Sequence, residues 1–286
     1  MNVGFVILHY LTDNDTIECI NSIFEKCDNR INYNIDVVDN FSNNGSIEKV
    51  EEYFKDNKKI HIIKNEKNLG FARGNNVGYR YCREELKCDY IMILNNDILI
   101  DSDNLFEKIE KNYNKYNCAV IGPDIVSMVD GGHQNPIESD NYNRLNIIYT
   151  IIRYIMLYIL SIMHLYDILK RNKDKDETKK KSINKLKEII EGKQLHGAFL
   201  IFTPKFINKM EEAFFPKTFL YLEENILYKK CLNNNLKTLY DPNIKVYHKE
   251  DSSTNFLCIN NKKKREFVFK NLIKSHIVLL LNMNKL

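Results

Sequence analysis

Tyr90-Ile-Met-Ile-Leu-Asn-Asn-Asp97-Ile-Leu-Ile100 is the stretch on which the reading of the fold turns. Apolar residues run into a polar triplet, and three more apolar residues follow. A continuous apolar run flanked by turn formers predicts a strand buried on both faces, as in a parallel sheet. Open α/β sheets bind ligands in the crevice at the carboxyl ends of their strands, where Asp97 falls. One carboxylate suffices there for a hard divalent cation on a diphosphate, since phosphate oxygens and water complete the shell. An Asx turn closing the strand uses the same residues, so the surrounding chain has to decide.

Outward from that strand, helix and strand alternate at short intervals. Residues 3–8 form an apolar strand ending at His9-Tyr10. Asp13 and Asn14 follow, and then Ile17, Ile20, Ile23 and Phe24 at helical spacing. Ile35-Asp-Val-Val38 leads to Asp39 and the turn-rich Asn40-Phe-Ser-Asn-Asn-Gly-Ser46, followed by a helix over about 47–55. Residues 60–63 are a third strand, and residues 65–76 open a helix reaching about Glu85. This rhythm specifies βαβ units: an α/β, Rossmann-like, mostly parallel sheet flanked by helices. Further on, strands are expected at 195–204 and 239–248, short helices at 206–212 and 225–233, and a helical tail around 267–281.

The 286 residues can bury a sizeable core, and 44% hydrophobic with 28% charged residues is ordinary globular composition. A net charge of +4 is too weak and unfocused to predict a nucleic-acid partner. Cys19, Cys27, Cys82, Cys88, Cys118, Cys231 and Cys258 form no CxxC pair and are odd in number. Free thiols in a reducing compartment are expected. The chain enters its first strand without a basic signal region, so the expected location is cytoplasmic.

A hydrophobic and basic helical insert interrupts this pattern at 145–193. Residues 145–166 are almost wholly aliphatic and aromatic, and residues 170–181 then carry seven Lys or Arg against three acids. A single membrane span would put Asp97 and the later motifs on opposite sides of the bilayer, so an interfacial helix on the cytoplasmic membrane surface is expected. A buried core helix followed by a solvated loop is the competing reading. Lys262-Lys-Lys-Arg265 is a second basic run. The expected organisation is 1–125, 126–260 with the insert, and a tail at 261–286.

Asp39, Asp97 and His248 follow strands, and Glu223-Glu224 precede a helix. With their flanking strings, these positions carry a resemblance. Val38-Asp-Asn-Phe-Ser-Asn-Asn-Gly-Ser46, Asn68-Leu-Gly-Phe-Ala-Arg-Gly-Asn-Asn76, Leu94-Asn-Asn-Asp97, His196-Gly-Ala-Phe199, Phe219-Leu-Tyr-Leu-Glu-Glu224 and Val246-Tyr-His248 with Ser252-Ser253 occur in order. The chain resembles bacterial glycosyltransferases of family 2 with the GT-A fold, in the rhamnosyltransferase-like branch of surface-polysaccharide enzymes.

The resemblance implies an inverting, metal-dependent transfer of a sugar from a UDP- or dTDP-sugar to a glycan or lipid-linked oligosaccharide. Asp39 would accept a hydrogen bond from the pyrimidine imide. His9, Tyr10, Asn68, Gly70, Arg73, Asn75, Asn95, Asn96 and Asp97 would line the nucleotide sugar, with Gly70 and Gly74 permitting close backbone approach. Asp97 and His248 would hold Mn2+ or Mg2+. Glu224 would be the catalytic base where relatives carry Asp, with Glu223 sharing the task or raising its neighbour's pKa. Asn44 also departs from a frequent Asp. A homo-oligomer is compatible with this reading. A sugar nucleotidyltransferase would need a glycine-rich, basic loop after the first strand, and His9-Tyr-Leu-Thr-Asp13 has no glycine. A non-catalytic scaffold in a polysaccharide assembly complex is the alternative that the Asn-rich triplet keeps open.

Overall fold

The structure, a computed structural model, describes residues 1–28, 30–138, 143–167, 186–250 and 261–283. The basic run at 170–181, Ser252-Ser253 and Cys258 lie outside the described residues. Strand β1 (Asn2–His9) is followed by α1 (Asp13–Lys26), β2 (Asn32–Asp39), α2 (Ser46–Tyr53), β3 (Ile60–Lys64) and α3 (Gly70–Arg80), which runs on as a π turn through Glu85. Then come β4 (Tyr90–Asn95), β5 (Ile98–Ile100), α4 (Leu105–Tyr116), β6 (Val120–Ser127) and α5 (Arg144–Ile162). The rest is β7 (Ile190–Glu191), β8 (Phe199–Phe202), α6 (Pro204–Ile207), α7 (Glu223–Asn233), β9 (Thr238–His248) and α8 (Asn261–Asn282).

Sequence chemistry explains the first half. In α1, Asp13 and Asp15 sit in the first turn and Lys26 in the last, which suits the helix dipole. Its buried residues Thr16, Cys19, Ile20 and Ile23 fall at i, i+3, i+4 and i+7, one face of the helix. β1 alternates: Val3, Phe5 and Ile7 join the core under α1 and α4, whereas Val6 and Leu8 face α3. A strand covered on both sides has to be apolar throughout, which is why these strands read as continuous hydrophobic runs.

The sheet order is β3-β2-β1-β4-β8-β6-β9-β5, with β7 also on β9. The β1–β2, β1–β4, β2–β3 and β6–β9 pairings are parallel and carry most of the register; the rest are antiparallel. Pairing of His9 with Asp39 and of Leu8 with Asn95 brings three carboxyl ends to one level. β8 inserts antiparallel between β4 and β6, so one sheet runs across the expected halves 1–125 and 126–260. β6 and β9 shift register between Pro123 and Asp124, absorbing the extra residues around Pro242, which has no N–H for the ladder.

The insert helix α5 begins at an Asn143 cap whose side chain accepts the Asn146 N–H at 2.8 Å. It lies against α8, with Tyr154 over Phe269 and His276. Residues on both sides of it rejoin the same sheet region, since Ile137 bridges Gln194 and Ile190 pairs with Tyr240. The six described cysteines are free and buried, and burial pushes the Cys27 and Cys118 thiols up to about 12.

Candidate functional site

The carboxyl edges of β1, β2 and β4 supply the first set of candidates. Asp39 ends β2, is buried, and accepts the Ser42 N–H through both oxygens at 3.0 and 3.2 Å. It therefore closes its own loop rather than capping α2, whose cap position is Gly45. His9 departs from expectation. Its ring is fully buried, with Nδ1 at 2.7 Å from the Thr16 hydroxyl and Nε2 at 2.9 Å from that of Ser46. Both nitrogens are engaged inside the protein, and burial lowers its pKa despite nearby Asp39. His9 supports α1 and α2 and presents no ring nitrogen to a ligand. Tyr10, next along, is partly exposed.

The glycine-containing loop is fastened by a residue to which the sequence reading gave no role. The Asn40 amide donates to Asn68 Oδ1 at 3.1 Å and to the Gly70 carbonyl at 3.3 Å, and its oxygen accepts the Leu69 N–H at 2.9 Å. Asn68 in turn accepts the Gly70 N–H at 2.9 Å. Gly70 has φ +77°, and a Cβ there would lie 2.3 Å from the Phe219 carbonyl oxygen. A Cβ on Gly74 would lie 2.7 Å from Leu8. These glycines let protein approach protein: the loop meets Phe219 and α3 meets β1. Arg73 is exposed and donates to the Leu69 carbonyl, while buried Asn75 leaves Oδ1 without a hydrogen-bond partner.

The triplet after β4 divides its labour. Asn95 lines a cavity of about 340 Å³. The Asn96 amide donates to the Thr12 and Thr16 hydroxyls at 2.7 and 3.0 Å, so it anchors the turn to α1 rather than facing a ligand. Asp97 is buried, and its Oδ1 has no hydrogen-bond partner. It faces His248 Nε2 at 3.4 Å. The state of that ring follows from its other side. Glu250 accepts from Gln134 Nε2 at 2.8 Å, which turns Gln134 Oε1 toward His248 Nδ1, also at 2.8 Å. Nδ1 then carries a proton, so Nε2 is the nitrogen turned to the Asp97 carboxylate. Asp97 Oδ1 without a hydrogen-bond partner and an imidazole nitrogen 3.4 Å from the carboxylate are a ligand pair that suits Mn2+ or Mg2+. Among the described residues no group of three ligating side chains surrounds the spot, so diphosphate oxygens and water would have to complete the coordination.

The acid pair lies across the cavity, whose walls include Phe71, Asn95, His196, Gly197, Glu223 and Glu224. Tyr221 and Leu222 precede the pair with φ of +72° and +70°, a costly conformation for side-chain-bearing residues. Glu223 is 2% exposed, with Oε1 unpartnered, and burial first, then Glu224, raises its pKa to about 8. Burial also raises Glu224. The dipole of α7 favours charge at both positions, but desolvation outweighs it. Gly197 faces Glu224, whose Oε2 would lie 3.7 Å from a Cβ placed there.

His196 connects the two walls and was quoted in the sequence only as part of a string. Its ring centroid is 6.0 Å from that of His248. Its Nδ1 accepts the Ala198 N–H at 3.1 Å, and burial first, then His248, lowers its pKa to about 4. It is neutral at ordinary pH, with Nε2–H as a donor. Glu224 and Asn95 line the hollow, and Asp97 stands behind it, linked through His248 to His196 in the cavity wall.

The sequence matches the Glycosyl transferase family 2 profile over residues 5–177. No curated protein sequence matches the chain. Among solved structures, S. aureus TarS 1-349 in complex with UDP is similar at TM-score 0.54 and 13% identity, over 97% of this chain and 66% of that one. GalNAc-T7 with UDP, GalNAc and Mn2+ is similar at TM-score 0.59 and 14% identity, over 90% of this chain and 47% of that one. The chain thus spans under two thirds of these two proteins, and likeness at such identity concerns the fold.

Proposed function

This chain belongs to glycosyl transferase family 2, with a mixed α/β GT-A fold, and we propose that it is an inverting enzyme acting on a UDP- or dTDP-sugar. The observation that carries this reading is the buried approach of the Asp97 carboxylate, whose Oδ1 has no hydrogen-bond partner, to His248 Nε2 at 3.4 Å, linked through His196 to the hollow that Glu224 lines. A carboxylate oxygen without a hydrogen-bond partner beside an imidazole suits a divalent cation, and the family and the Mn2+ in GalNAc-T7 support the same choice. Mn2+ or Mg2+ bound there would neutralise the departing nucleoside diphosphate.

The chain's own groups account for the rest. Glu223 keeps its proton near neutral pH, which spares Glu224 a neighbouring like charge. Glu224 borders the open cavity and takes the proton of an acceptor hydroxyl as it attacks the anomeric carbon. One base and one displacement invert the configuration. His196 offers Nε2–H to a sugar or phosphate oxygen, and the Asp39 loop receives the pyrimidine. The acceptor is a glycan, and the setting is synthesis of a cell-surface polysaccharide, with hexosyl or rhamnosyl transfer.

The test is release of UDP or dTDP from a panel of nucleotide sugars with Mn2+ or Mg2+. Asp97→Ala and Glu224→Gln should each lower turnover by at least about a hundredfold. Undiminished turnover in both variants refutes these roles.

A further inference from the structure

Helix α5 is long and apolar enough to cross a membrane by length and composition, yet only 11% of it is buried. Leu145, Ile148, Ile152, Met156, Ile159 and Met163 recur at helical spacing along one exposed stripe. Leu145 is 78% and Met156 59% exposed. An ideal helix of this length lays such a stripe over about 28 Å. Exposed apolar surface of that extent marks a contact surface.

Charge selects the contact. Helices α5 and α8 together carry eight Lys or Arg and a single acid, Glu266. A second copy of this chain would bring like charges together, whereas an anionic lipid surface supplies the opposite sign. The basic start of α8 adjoins the end of the stripe, where Lys262 Nζ lies 2.8 Å from the His164 ring and Arg265 pairs with Asp167. The basic run at 170–181 follows this end in sequence. A single span is ruled out, because both flanks of α5 hydrogen-bond into one sheet region.

We infer that the exposed face of α5 and the basic start of α8 dock on an anionic bilayer surface, and that the glycan acceptor is presented from that lipid. The second half of the inference rests on the transfer reading above. The helix pair touches the segment that carries the acid pair. Ile147 of α5 and Leu279 of α8 pack with Leu222 and Ile226. The Ser275 hydroxyl donates to the Leu220 carbonyl at 2.8 Å, and Leu272 lines the cavity with Glu223 and Glu224. A protein lying on this face holds that cavity beside the bilayer.

The experiment is cosedimentation of the full chain with phosphatidylcholine vesicles, with and without phosphatidylglycerol. The wild type should pellet with the anionic vesicles and be released by raised salt. Ile152→Glu with Met156→Glu should weaken that binding at least about tenfold. Both side chains are exposed, so the thermal transition should not move, which separates lost docking from lost folding. Failure of the wild type to pellet overturns the inference. So does equal pelleting with neutral vesicles, or a variant that pellets like wild type. A wild-type dimer that the variant dissolves, with vesicle binding unchanged, would assign the face to a second copy and also overturn it. Nucleotide release on a soluble glycan is read separately: binding without turnover sinks the transfer reading, and turnover without binding sinks this one.

Discussion

Replacing Glu223 by Gln should make the protein more stable in mild alkali, a sign set first by burial and then by the neighbouring Glu224. The carboxyl is 2% exposed and holds its proton up to about pH 8, against an ordinary value of 4.5. Between those values the folded chain binds a proton that the unfolded chain has released. Unfolding free energy therefore falls as pH rises through the window, and levels off above it. At about 1.4 kcal/mol per pH unit, the loss across the window comes to about 4–5 kcal/mol. Gln keeps the shape and never ionises, so it escapes this loss. For a chain of this size each kcal/mol moves Tm by about 2 °C, so the variant should lead by on the order of 8 °C near pH 9. Near pH 5 the two should converge. The assay is thermal unfolding of both proteins from about pH 5 to about pH 9, reading their difference so that other titrating groups cancel. Parallel curves would show that Glu223 ionises freely in the folded chain and would refute its assignment as the neutral member of the pair.

Three further outcomes are expected. Gly70→Ala meets both a positive φ and the Phe219 carbonyl, so it should cost at least about 2 kcal/mol in a urea titration; an unchanged midpoint would contradict the close approach. Asn40→Ala strips the Leu69 N–H and the Asn68 side chain of a buried partner and should lower stability by about 1–3 kcal/mol, with proteolysis appearing first in the 65–70 loop. Gln134→Leu removes the acceptor that fixes the His248 proton on Nδ1, so calorimetry with UDP should show Mn2+ affinity reduced about 10–100-fold; equal affinity would detach His248 from the metal.

Much of the first half was legible because its signals are local. The apolar runs of β1, β2 and β4 and the spacing of α1 mark their elements without reference to the rest of the chain. The second half was less so. β6 went unread because Gly122, Pro123 and Asp124 interrupt its apolar run, and only pairing with β9 through a register shift makes it a strand. Element α4 has the helical spacing Leu105, Phe106, Ile109 and Asn112 and could have been found by the same count applied to α1. The strand expected at 195–204 is only Phe199–Phe202, since the preceding residues are spent on the cavity wall. The helical tail begins at Asn261 and not near 267, its basic start held by Lys262 on the Ile162 carbonyl and Arg265 on the Ser161 hydroxyl of α5.

The sequence by itself determined that strands and helices alternate, that polar residues stand at strand ends, and that an aromatic segment closes on paired carboxylates. Those are properties of neighbouring residues, set by apolar periodicity and turn chemistry. Only the tertiary structure decided that β8 runs antiparallel between β4 and β6, which carries His196 to the neighbourhood of Asp97, about a hundred residues earlier, and to the cavity wall with Glu224. It also decided that His9 and Asn96 turn inward, that Gly70 yields space to Phe219, and that Glu223 keeps its proton. Each depends on which distant segment fills the space around a side chain and excludes water from it, and no local pattern records that.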